Sequence, residues 1–174
     1  MNDLSSKVSV ASLIAAIYSI TTVMFGSLGY SWIQLRISEA LTPLPFLMGL
    51  PAVIGLTLGC FVANWFSPVG LPDLVFGPLL TLCAAILSWR ISFGKKTLAC
   101  IYPVLVNAFG VSAYIYSFYG VPYMISVLTI GASEFVSVIL IGYPLLIAIQ
   151  KTVKIDIRHG DRSKRPKDCT EPLA

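Results

Sequence analysis

The sequence predicts an all-α membrane protein of six transmembrane helices with its N-terminus and C-terminus in the cytoplasm. Apolar runs of about the length that crosses a bilayer follow one another from residue 8 to residue 149. Only 11% of the 174 residues are charged and 56% are hydrophobic, whereas a soluble domain is about one quarter charged. The basic residues also segregate, as the loops of a membrane protein do.

The first apolar run covers residues 8–28 and ends at Gly29; it is too long for a cleaved signal peptide and lacks a small-x-small cleavage site, so it reads as a retained helix. The second, 33–48, is shorter, and Pro43 and Pro45 remove backbone donors that a straight helix needs. The third is 51–66. Both the second and third are short for a full span, and a re-entrant hairpin packed inside the bundle is the alternative. The fourth, fifth and sixth are 74–89, 98–118 and 123–149. Residues 1–150 thus form one membrane domain, and 151–174 a basic, aperiodic tail expected to be solvated and disordered in the cytoplasm.

Charge tests this topology. With the N-terminus inside, Lys7, Arg90, Lys95, Lys96 and the seven basic residues from Lys151 onward all lie inside. The outer loops at 29–32, 67–72 and 118–122 carry no Lys or Arg. Eleven of the twelve basic residues obey the positive-inside rule, and Arg36 alone breaks it. The tail is a topological signal with a second reading as a contact for anionic lipid head groups; nothing suggests nucleic acid as a partner.

Some chemistries are excluded. Cys60, Cys83, Cys100 and Cys169 make no C-x-x-C pair, and the first three read as packing residues. The single histidine, His159, is in the tail, which argues against a histidine metal site or hydrolase centre in the membrane. No metal site is expected, and no catalytic residue.

Function is expected from the polar residues that interrupt the apolar runs or edge them: Arg36, Glu39, Asn64, Asp73, Asn107 and Glu134. Charge in a bilayer costs several kcal/mol per group, so such residues usually line a substrate path or a pocket. Each has a plainer reading. Arg36 and Glu39 share a helix face and pair with each other, or grip a ligand. Asp73 caps the fourth helix, or lines a pocket. Asn107, four residues after Pro103, glues helices together, or binds. Glu134 has no basic neighbour in sequence, so it is protonated, paired across helices, or faces a wet cavity. Tyr30, Trp32, Trp65, Phe66, Tyr119 and Tyr123 form an outer aromatic belt, or one or two of them stack on a planar ligand. Gly55 and Gly59, and Ala11 and Ala15, make small-x-x-x-small faces for helix contacts.

The run Ile33-Gln34-Leu35-Arg36-Ile37-Ser38-Glu39-Ala40-Leu41 resembles the signature of the QueT queuosine-precursor transporters, the substrate-binding S components of energy-coupling factor (ECF) importers. The resemblance continues through Gly59, Asn64, Ser67-Pro68-Val69-Gly70, Asp73, Gly77, Thr81, Pro103 and Asn107 to Glu134, and spans roughly residues 11–151. Ser133 departs from it, since much of the family has Gly there. The resemblance implies a six-helix S-component bundle in the plasma membrane that binds a 7-deazaguanine such as preQ1, preQ0 or queuine on its outer side. A carboxylate from Glu39, Asp73 or Glu134 would accept the paired donors of the guanine-like edge, and Asn64, Asn107 or Arg36 would donate to its carbonyl. An aminomethyl cation, where the ligand has one, asks for a further carboxylate. The resemblance also implies that Ala11 and Ala15 dock the transmembrane coupling protein, and that two separate ATPase subunits hydrolyse ATP. The chain has no G-x-x-x-x-G-K-[ST] motif, so it is expected to bind no cofactor itself.

Other classes are a stand-alone proton-coupled or facilitative carrier of a small polar heterocycle or vitamin, an assembly factor whose polar groups pair only with each other, and an intramembrane enzyme. The first is disfavoured by the lack of paired broken segments, the last by the lack of a nucleophile–base pair.

Overall fold

In the computed structural model, residues 4–26 and 36–153 are described, and among them every regular element is helical. The expectations for Gly29, Tyr30, Trp32, residues 33–35, His159 and Cys169 lie outside the described residues. Helix α1 (Leu4–Met24) is followed by a 3-10 turn (Ile37–Leu41), a single turn α2 (Pro45–Met48), α3 (Leu50–Asn64), α4 (Leu71–Arg90) and α5 (Lys96–Tyr119). The last stretch is continuous: α6 (Tyr123–Glu134), a π-helical segment (Phe135–Gly142) and α7 (Tyr143–Val153). Four stretches are long and apolar enough to cross a membrane, namely Leu4–Met24, Leu71–Arg90, Lys96–Tyr119 and Tyr123–Thr152. Their outward faces carry Leu13, Ile17, Val75, Leu105 and Leu128, all exposed and suited to lipid.

The second expected helix is not a continuous one. Over residues 36–48 the chain makes the 3-10 turn, a turn through Thr42–Leu44, and α2. Pro43 and Pro45 supply the reason, because neither can donate to a ladder. The segment nonetheless runs most of the length of α4. It starts with Arg36 beside Asp73, near one end of α4, and reaches Gly49, which lies against the Trp89 ring near the other. Those two α4 positions are separated by about 24 Å at 1.5 Å per residue. Gly49, at φ +66°, makes the left-handed bend into α3, which any side chain would strain. Pro78 and Pro103, by contrast, are absorbed inside α4 and α5 without ending them.

Small residues set the packing. The glycines of the G-x-x-x-G face of α3 meet the A-x-x-x-A face of α1: a Cβ on Gly55 would lie 2.6 Å from the Ala11 carbonyl oxygen, and one on Gly59 2.9 Å from that of Ala15. The two helices therefore run parallel in close backbone contact, the means by which helices associate in lipid. The Ser19 hydroxyl adds a hydrogen bond across this seam, to the Gly59 carbonyl at 3.0 Å. Behind it lies a core of Ile14, Tyr18, Val53, Leu56, Val138 and Leu146. Cys60 and Cys100 are buried free thiols, as expected of packing residues, while Cys83 is exposed.

The wide turns of the π segment bring the last stretch onto the broken one. A Cβ on Gly142 would sit 2.7 Å from the Ala40 carbonyl oxygen, so the backbone of the 3-10 turn rests directly on this glycine. The seam between α1 and α3 yields a prediction. Gly55→Ala and Gly59→Ala should each destabilise the detergent-solubilised protein by about 1–3 kcal/mol through overpacking. Gly131→Ala, whose Cβ would meet only Ala108 at 3.4 Å, should be neutral in the same thermal-unfolding measurement.

Candidate functional site

Five elements, the broken segment and four helices, bring the six sequence-predicted polar residues into one buried polar zone. Arg36 enters from the start of the broken segment, Glu39 from its 3-10 turn, Asn64 from the end of α3, Asp73 from the first turn of α4, Asn107 from mid-α5, and Glu134 from the last residue of α6. All six are buried, and Glu39 and Asp73 are 1% and 0% exposed.

One half of the zone is built around Asp73. The Arg36 Nη2 donates to both carboxylate oxygens, at 3.0 Å and 2.8 Å. The Tyr114 hydroxyl of α5 donates to Oδ1 at 2.6 Å, and the Asn64 amide donates to the main-chain carbonyl of Asp73 at 2.9 Å. Gly77, one turn along α4, makes room for that amide: a Cβ there would fall 2.1 Å from Asn64 Nδ2. Thr81 and Cys60 extend the network behind Asn64. Asp73 is not the cap of α4, because the helix begins after Gly70 and has no side-chain cap. Its first-turn position still suits a carboxylate, since the helix N-terminus is electropositive.

The other half joins Glu39, Asn107 and Glu134. The Tyr18 hydroxyl of α1 donates to Glu39 Oε1. The Asn107 amide donates to Glu134 Oε1 at 3.1 Å and also faces Glu39. Glu39 and Glu134 are electrostatic neighbours. The Oε2 atoms of both glutamates, Asn64 Oδ1 and the Ser137 hydroxyl are buried without a hydrogen-bond partner among the described residues. Buried polar atoms without a partner are rare in proteins.

The ion pair that Arg36 makes is with Asp73 rather than the expected Glu39, which remains its electrostatic neighbour. The expected pair presumed a helix through both residues, but Arg36 has extended backbone (φ −93°, ψ 94°), so the three-residue spacing does not put the side chains on one face. Arg36 turns to Asp73, and Glu39 turns to Tyr18. Asn107 does bridge helices, as the plain reading held, and its partner is Glu134. Tyr18 and Tyr114 were not among the residues singled out from the sequence. Tyr18 had a legible signal: with Ala11, Ala15 and Thr22 it forms a 4-3-4 stripe, and Thr22 donates to Ser38 at 2.7 Å beside it.

Ala11 and Ala15 are half-buried and back onto Gly55 and Gly59. Of the aromatics, Trp65, Phe66 and Tyr119 are exposed at the α3–α4 and α5–α6 ends, as a belt requires, and the Tyr119 hydroxyl donates to the Val69 carbonyl. An apolar groove of about 290 Å³ between α4 and α5, lined by Phe76, Leu80, Gly110, Tyr114 and Phe118, borders the zone only at Tyr114. No group of three or more His, Cys, Asp or Glu placed to hold a metal occurs among the described residues.

A helical bundle with four apolar stretches long enough to cross a membrane has the character of a membrane protein. A family model, described as QueT transporter, matches residues 8–151, and the chain belongs to that family of transporters. No curated protein matches the chain, and no solved structure does.

The Arg36–Asp73 pair should be the most sensitive point of the site's framework. Breaking a buried pair by removing one partner costs roughly 3–5 kcal/mol. Arg36→Met and Asp73→Leu should each lower the thermal-unfolding midpoint sharply, and the double variant should lose less than the sum of the two. Additive losses would mean that the two side chains do not depend on each other.

Proposed function

We propose that the chain is the substrate-binding membrane subunit of an ECF-type ATP-driven importer, and that its cargo is a queuosine precursor of the 7-deazaguanine type, such as preQ1, preQ0 or queuine. The observation that carries this reading is the pair of buried glutamates, Glu39 and Glu134, each with one unpartnered oxygen and with Asn107 between them. A guanine-like edge offers two adjacent N–H donors and a carbonyl, and it is matched by carboxylate acceptors beside an amide that can donate. Family membership supports the same cargo class.

The finer architecture follows from this reading. The broken segment counts as one crossing and α3 as another, which makes six spans with both termini in the cytoplasm of a plasma-membrane protein. Lys7, Arg90, Lys95, Lys96 and Lys151 then lie at the inner ends of their helices. The chain binds no nucleotide itself; two separate ATPase subunits supply the energy through a transmembrane coupling protein. That protein would meet α1 where Ala11 and Ala15 remain half exposed.

Calorimetry on the purified chain tests the cargo. One 7-deazaguanine should bind tightly and guanine much more weakly, and Glu134→Gln should weaken binding by roughly tenfold or more, the worth of a hydrogen bond to a charged group. Lack of binding by folded protein to any deazaguanine would remove the proposal. Reconstituted uptake tests the coupling. Transport should require the coupling protein, the ATPase subunits and ATP; uptake by the chain alone, driven by a proton gradient, would assign it instead to stand-alone carriers.

A further inference from the structure

We propose that the loop between α4 and α5 is a binding site for a phospholipid with an anionic head group. The lipid lies in the leaflet at the end of α4 remote from Asp73, which is the cytoplasmic leaflet in the topology proposed above. The loop is short and tightly built: only residues 91–95 separate the two helices. The Ser88 hydroxyl donates to the Ala99 carbonyl at 2.7 Å, and the Lys95 amide donates to the Ser92 carbonyl at 2.8 Å. Between these anchors the chain pushes an aromatic ring outward. Phe93 is 75% exposed, and Ile91 beside it is exposed too. Phe93 has φ +47° and Gly94 φ +75°. A bulky residue rarely adopts this left-handed region, and holding one there costs free energy that good packing usually offsets. Here the ring faces outward, at the junction of two apolar spans. An aromatic side chain so presented fits the boundary between head groups and acyl chains.

Three cations flank the ring: Arg90, Lys95 and Lys96. The Arg90 guanidinium lies over the Trp89 ring, 4.1 Å from its centre, which fixes its position beside the loop. The carboxylates among the described residues are Glu39, Asp73 and Glu134, and all three belong to the polar zone. Asp73 and Arg90 are at opposite ends of α4, about 25 Å apart at 1.5 Å per residue. The first turn of α5 has no acidic residue to offset its lysines. Among the described residues, these charges thus have no carboxylate counterpart. A loop of this length keeps them at the depth of the head groups, where a lipid phosphate is the counter-charge at hand. The positive-inside rule accounts for the charges, but it requires neither the outward ring nor its strained backbone. An acidic protein surface would match the charges and leave the ring without a use; an anionic lipid matches both.

The test uses the full chain in phosphatidylcholine vesicles, with Trp32→Phe and Trp65→Phe so that Trp89 is the one remaining indole. Its fluorescence is quenched with phosphatidylglycerol or phosphatidylcholine carrying brominated acyl chains. Phosphatidylglycerol should occupy the sites near Trp89 at least about fivefold more strongly, the preference that one cation near an anionic head group gives. Arg90→Gln, Lys95→Gln and Lys96→Gln together should bring the ratio to about one. A ratio near one in the parent would overturn the site. So would a preference that survives the triple substitution, since it would belong to the basic tail from Lys151 onward. A parallel measurement needs no tryptophan change: phosphatidylglycerol added to the unaltered chain in detergent should raise its thermal-unfolding midpoint above the value in phosphatidylcholine. The triple variant should lose that excess. Equal midpoints for the two lipids in the unaltered chain would likewise overturn the proposal. The cargo reading is untouched by either result.

Discussion

A guanidinium buried in an apolar bundle needs an opposite charge beside it, because burial strips away the solvation that water would give it. Arg36 meets this requirement with Asp73, and much of the site's geometry depends on that contact. The pair ties the beginning of the broken segment to the first turn of α4. Tyr114 from α5 and Asn64 from α3 converge on the same aspartate, one on the carboxylate and the other on the main chain. Four elements are thereby fixed at one residue. Glu39 is three residues beyond Arg36, so its location among α1, α5 and α6 is set by the same anchor.

The scaffold lets polar groups converge because small residues let backbones approach. Gly55 and Gly59 admit α1, which brings Tyr18 to Glu39. Gly77 gives its volume to the Asn64 amide, and Gly142 gives its own to the Ala40 carbonyl. The π segment begins directly after Glu134. A π turn is wider than an α turn and is found mostly where function justifies it. Here it lets the last helix bring Glu134 and Ser137 inward while accommodating the non-helical chain at residues 36–44. The 3-10 turn and the π segment, two irregular stretches of the chain, thus meet at the polar zone.

Much of this was legible in the residues. Polar side chains in apolar runs stand out because each is costly, and all six so identified are buried in one region. The prolines at 43 and 45 announced an interrupted second helix. What failed was the pairing. The spacing of Arg36 and Glu39 suggested a shared helix face, yet the backbone at Arg36 is extended. Asp73 looked like a cap, yet its carboxylate is taken by a residue 37 positions earlier. Tyr18 and Tyr114 passed for ordinary apolar-helix aromatics, because a hydroxyl shows its importance only through its partner.

The sequence by itself determined the class: an apolar, sparsely charged, helical chain for the membrane, with basic residues gathered toward one side and a small set of polar residues too expensive to be incidental. Those properties are sums over local composition and period, so they can be read without knowing which segments touch. Only the tertiary structure decided how the polar residues divide, Arg36 with Asp73 and Glu39 with Glu134, and which oxygens stay unpartnered. Partner choice depends on which helices meet at a given depth and how closely their backbones approach, and those distances arise from contacts between residues far apart in the chain.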